Sequence, residues 1–232
     1  SLTAAAGTDR PDAHADAAPR QFAGPRDEDS AMIRAAAELT RDLTTPNPLI
    51  YWSDFLGSAL VGYAGLAGAI LAHSPWVAAA AALFAIFGLY RAGLFIHELT
   101  HLRLSALPGF WTGWHLVLGI PLLMPSFMYE GLHNLHHMRK RYGTIEDPEY
   151  LPLALMKPWT VPAFVLVAFL APIGLLLRYG VLGPLSLVIP PLRRVLVERY
   201  SGLVINPAFR RRPPEGEAQR KWLITEVAVS IW

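Results

Sequence analysis

The chain has 232 residues, with 20 Lys and Arg against 18 Asp and Glu and a net charge of +2. Charged residues make up 16% and hydrophobic residues 53%, with mean hydropathy +0.32 and a pI near 9.0; ordinary globular domains carry about 25% charge. This balance points to lipid as solvent for much of the chain. The basic residues form no stripe, which argues against a nucleic-acid partner; they gather beside apolar segments instead. There is no cysteine, so disulfides, iron–sulfur clusters and thiolate-bound zinc are excluded.

Residues 1–28 are rich in Ala, Asp, Pro and Arg without apolar periodicity and are expected to be a disordered tail. No charged stretch leads into an apolar one there, so no cleaved signal peptide is expected. The first residue is Ser1, not Met, and residues upstream are expected. The remainder, 29–232, reads as part of one membrane domain. Asp29 or Ser30 could cap a short helix running to Leu43, with Met32, Ile33, Ala36 and Leu39 near one interfacial face. Pro46 and Pro48 end it.

Residues 55–72 carry no charge over 18 positions, enough for a tilted spanning helix. Gly57, Gly62, Gly65 and Gly68 make one side small and suit close helix contact. An uncharged turn at 73–75 leads into a second apolar run, 76–90, which Arg91 interrupts and 92–96 continues. The two runs form a hairpin whose outer ends share one side. Arg41, Arg103, Arg139, Lys140 and Arg141 flank that side, which makes it the cytoplasm. Residues 159–177 are a third span, containing Pro162 and Pro172, which neighbouring helices can accommodate. Residues 180–192 could span or dip and return, and 221–232 open a further apolar segment.

Five of the 8 histidines lie in two runs. The first, His97-Glu98-Leu99-Thr100-His101, sits where the second span emerges. Residues four apart on a helix project to the same side, so both rings can reach one metal. The second, His133-Asn134-Leu135-His136-His137, begins 36 residues later, and its spacings again gather three rings. Five neutral nitrogen donors suit an imidazole-rich iron site. The apolar stretch 110–124 cannot span, because the two runs would then face opposite sides of a core about 30 Å thick. It is expected to lie in the interface or to dip and return. His115, within it, reads as interfacial. Trp111, Trp114 and Phe127 read as interfacial anchors, with a lining of an acyl tunnel as the alternative.

The two runs, HELTH and HNLHH, resemble the first and second histidine boxes of the membrane fatty acid desaturases. The stretch Gly143-Thr144-Ile145-Glu146-Asp147-Pro148-Glu149-Tyr150 resembles the segment after the second box in bacterial members. The resemblance covers about residues 45–232. It implies an all-α, multi-pass transmembrane bundle with its boxes facing the cytoplasm of a bacterial membrane. It also implies two iron ions held by His97, His101, His133, His136 and His137, and dioxygen as co-substrate. The partners implied are a membrane lipid or acyl thioester and an electron donor of ferredoxin or cytochrome type. The reaction implied is desaturation of an acyl chain, with a di-iron hydroxylase or ketolase as alternative. The family's third box is missing, so a truncated chain, inactive alone, is expected. Glu98 and Asp147 could orient ligand rings from behind, whereas Glu146 and Glu149 read as solvated loop acids. A zinc peptidase of the HExxH type, with Glu98 as general base, is a further alternative, although it has no use for the second run.

Overall fold

Long apolar runs that begin at proline are natural helices, since Pro fits the first turn and offers no amide to be satisfied. The computed structural model describes residues 27–41, 45–151, 153 and 156–232. Among these it is helical throughout, with no strand. The chain divides into two units, Ser1–Thr45 and Pro46–Trp232. The first contains α1, Asp27–Leu39, on which Met32, Ile33 and Leu39 are exposed. The tail expected over 1–28 falls, except for the start of α1, outside the described residues.

The second unit opens with α2, Pro48–Leu71, capped by the Asn47 side chain, which accepts from the Leu49 amide. A short turn leads to α3, Pro75–Gly93, and after a break at Leu94 to α4, Phe95–His101. Helices α2 and α3 pack with their backbones nearly touching. A Cβ on Gly62 would meet the Leu89 amide nitrogen at 2.7 Å, and one on Gly65 would meet that of Ala85 at 2.5 Å. Gly57, expected on the same face, meets nothing.

The stretch after α4 turns back, as the single-side argument requires. It forms α5, Phe110–Trp114, a π-helical turn over His115–Gly119, a 3-10 turn over Ser126–Met128 and α6, Leu132–His136. Phe110, Trp114 and Leu118 are buried against Phe55, Ala92 and Phe95, so this segment is core rather than interface. Trp114 donates to the Ala92 carbonyl at 3.1 Å. Phe127 is buried as well, stacked on Trp222, so Trp114 and Phe127 are core residues rather than interfacial anchors. Trp111 stays partly exposed, donating to Glu130 and lying over the His115 ring.

Helix α7, Thr160–Leu177, buries no residue. A π-helical turn, Arg178–Leu182, and α8, Gly183–Ser186, prolong it. The chain continues through α9, Pro190–Arg199, and α10, Gly216–Ile231. Among the described residues three stretches are long and apolar enough to cross a membrane: Pro48–Leu71, Pro75–His101 and Thr160–Ser186. The region 180–192 is thus split between the end of the third stretch and the start of α9. Helix α10 turns Trp222, Thr225, Glu226 and Val229 inward, at the i, i+3, i+4, i+7 spacing of a one-faced helix. There Glu226 accepts from Arg178 at 2.5 Å and from Arg193 at 2.6 Å.

Candidate metal centre

The last turns of the hairpin and the short helix after the return segment carry the two histidine runs. In α4 the rings of His97 and His101 stand 4.6 Å apart. Helix α6 begins after Gly131, whose φ of 76° suits glycine because a Cβ would clash there. That turn brings His133 to 4.6 Å from His97 and 5.1 Å from His101, ring to ring. His137 lies 5.1 Å from His101. One ligand atom from each of His97, His101, His133 and His137 falls within 4.8 Å of all the others. His136 stands beside this group, its ring 5.7 Å from that of His137. Four nitrogen donors on so small a sphere can hold a metal ion, and imidazole suits iron, zinc and copper alike.

Carboxylates fix three of the five rings. The Nδ1 of His133 is 2.9 Å from Glu149, that of His136 is 3.0 Å from both oxygens of Asp147, and that of His97 is 3.3 Å from Glu98. An ionised carboxylate only accepts, so Nδ1 must carry the proton and Nε2 is left bare, the form that binds metal. Glu149 is thus no solvated loop acid. Tyr129 stacks on His133 at 4.6 Å, with its hydroxyl 2.7 Å from Nδ1. Burial pushes the Tyr129 hydroxyl up to about 12, helped by the Glu149 charge. Burial pulls His133 below the usual imidazole range, against the opposing pull of Glu149.

Asp147 is fully buried. Burial opposes its ionisation most strongly, but the amides of Gly143 and Glu149 and the His136 ring outweigh it and hold the carboxyl below its usual range. Behind it, Asn206 donates to the carbonyls of Ile145 and Asp147. Gly143 and Glu149 are sequence neighbours of Asp147, whereas Asn206 lies 59 residues away, where no local spacing announces it.

His115 is buried rather than interfacial. Its Nδ1 donates to the Trp111 carbonyl at 2.8 Å and its Nε2 accepts from the Ser126 amide at 3.1 Å. Both nitrogens are used, so it closes the return segment and has no lone pair for a metal.

A multi-pass helical membrane protein with a cluster of histidines at one end of its hairpin is the class that this fold and site define. Residues 73–232 match the family described as fatty acid desaturase, and the chain belongs to that family. Among curated proteins it is similar to a ceramide hydroxylase of Caulobacter vibrioides, strain NA1000 / CB15N, at 46% identity over 204 residues. That match covers 88% of this chain, and the chain spans 58% of the length of the relative. No solved structure matches. The chain is an integral membrane protein of a lipid-oxidising family, and the family speaks against the peptidase alternative.

Proposed function

We propose that this chain is part of an oxygen-dependent membrane hydroxylase acting on a ceramide-type lipid. The observation that carries the reading is the extended similarity to the ceramide hydroxylase. It favours hydroxylation over the desaturation that the histidine boxes alone imply. His97, His101, His133, His136 and His137 are the proposed ligands of two iron ions. A bound iron pair would supply dioxygen activation.

The residues of the chain do the rest. Glu149, Asp147 and Glu98 hold their imidazoles with Nε2 bare. Tyr51, Phe95 and Phe110 pack edge to face, with ring centroids 5.5 to 5.9 Å apart, and stiffen the end of the hairpin that carries the first histidine run. Hydroxylation inserts one oxygen atom into a carbon–hydrogen bond. The other leaves as water with two protons and two electrons, so an external reductant of ferredoxin or cytochrome type is required. By the positive-inside rule the site faces the cytoplasm, where such a donor resides.

Membranes containing the full-length protein, given a ceramide, reductant and isotopically heavy dioxygen, should yield ceramide carrying one heavy oxygen atom. A product that has lost two hydrogens and gained no oxygen would return the reading to desaturation.

A further inference from the structure

Helices α2 and α3 each contain one charged residue, Asp54 and Arg91. Charge in a spanning segment is costly and marks function by default. The two are paired: Arg91 Nε donates to Asp54 Oδ1 at 3.2 Å, and Nη2 meets Oδ2. Yet the pair is not sealed, for its side chains are 57% and 31% exposed. It lines a cavity of about 230 Å³ together with Tyr51, Glu98 and the apolar Ile50, Leu94 and Phe95.

Asp54 lies near the start of α2 and Arg91 near the end of α3, so the cavity opens at the histidine-bearing end of the hairpin. Glu98 lines it on the side of the first histidine run. One carboxylate oxygen accepts from Tyr51 at 3.0 Å, and the other faces His97 Nδ1 at 3.3 Å. A single side chain therefore separates the cavity from the imidazole cluster.

The charge of the cavity selects its occupant. Asp54 and Arg91 cancel, and Glu98 adds a negative charge. A phosphate or carboxylate head would be repelled. An uncharged head with hydroxyls and an amide would find acceptors in the carboxylates and in the Tyr51 oxygen, whose proton goes to Glu98, and donors in the N–H groups of Arg91 that Asp54 does not take.

We propose that the Asp54–Arg91 cavity seats the uncharged, hydroxyl- and amide-bearing head of the lipid substrate, which places a carbon close to that head at the histidine cluster. This rests on the hydroxylase reading for its substrate class. If the ion pair served only to clamp the hairpin, it would have no need of an open cavity, since the glycine contacts at Gly62 and Gly65 already hold the two helices together.

The test is photolabelling of the full-length protein in phosphatidylcholine vesicles, with a diazirine on the head of a short-chain ceramide or of a phosphatidic acid. The ceramide probe should label residues 50–54 or 94–98 and be displaced by unlabelled ceramide. Asp54→Asn should cut that labelling about tenfold, the loss of one hydrogen bond to a charged group, while Asp54→Glu restores part of it. The map on the unmodified protein depends on no variant folding. Label falling elsewhere, or phosphatidic acid labelling these residues as strongly, would overturn the proposal. A correct map without oxygen gain in the product would keep this inference and remove the hydroxylase reading. Hydroxylated ceramide with the label elsewhere would do the reverse.

Discussion

Which ring nitrogen carries the proton decides whether an imidazole can bind metal, and here acidic residues make that choice. Glu149→Gln can offer its amide as donor or acceptor, so it no longer dictates the His133 tautomer. We expect Glu149→Gln to weaken metal binding about 10–100-fold, the usual cost of losing such a partner, with little change in helix content. Metal titration with circular dichroism on the same samples checks both halves. Asp147 adds a pH signature. Its folded carboxyl lies below the usual range, so its stabilisation is complete above the unfolded value of about 3.9 and is lost as pH falls through the folded value. Thermal melts should fall more steeply in acid for the unmodified protein than for Asp147→Asn; parallel slopes would reject the assignment. The five histidines are legible in the sequence because helical spacing is local information. The roles of Glu149 and His115 are not, because their partners His133 and Ser126 are set by turns whose direction no short motif records. Asp54 and Arg91 do leave a signal: lone opposite charges in otherwise uncharged helices should seek each other.

At the scale of elements, the hairpin depends on what its helices lack. The near-contact at Gly62 leaves no room for a side chain, so Gly62→Val must force the helices apart. Overpacking of this kind costs about 1–3 kcal/mol. We expect a lower melting temperature in detergent and weaker metal binding, because α4 is the continuation of α3. Gly57→Val, where nothing stands within 4 Å, is the control and should do neither. The glycine-lined face and the turn at 73–75 are visible in the sequence. The inward face of α10 is not, since an apolar run of that length reads equally as core or as membrane. Arg211 illustrates the same limit. It is the middle of three consecutive arginines, and nothing in that run distinguishes it, yet it donates to the carbonyls of Phe127, Ser201 and Glu130 and lies over the Trp222 ring at 4.4 Å. Burial brings its pKa down to about 10. Arg211→Met would strand these carbonyls, at about 1–3 kcal/mol for each left without a partner. It should lower the melting temperature, whereas Arg210→Met, on an exposed side chain, should not.

At the scale of the whole molecule, the membrane and the metal site impose one constraint from two directions. Helix α7 is apolar on every side and buries nothing, as suits a helix solvated by lipid. The return segment folds back on the hairpin, with Phe110, Trp114 and Leu118 packed against Phe55, Ala92 and Phe95, and that lets α4 and α6 meet. The cluster is therefore a consequence of topology, and each of its histidines should matter to metal binding to a degree set by its place. His97, His101, His133 and His137 share one small sphere, while His136 stands beside it with Nδ1 held by Asp147. If two ions occupy the site, His136 serves the second and not the first. We therefore expect His133→Ala in the full-length protein to abolish binding of both irons, because its ring lies within 6 Å of those of His97, His101, His136 and His137. His136→Ala should leave one iron bound. Metal analysis by mass spectrometry, paired with Mössbauer spectra of the iron-loaded protein, distinguishes these states. Equal and complete loss from both variants would mean that His136 belongs to the same sphere as the other four, and retention of two irons in His136→Ala would remove it from the ligand set.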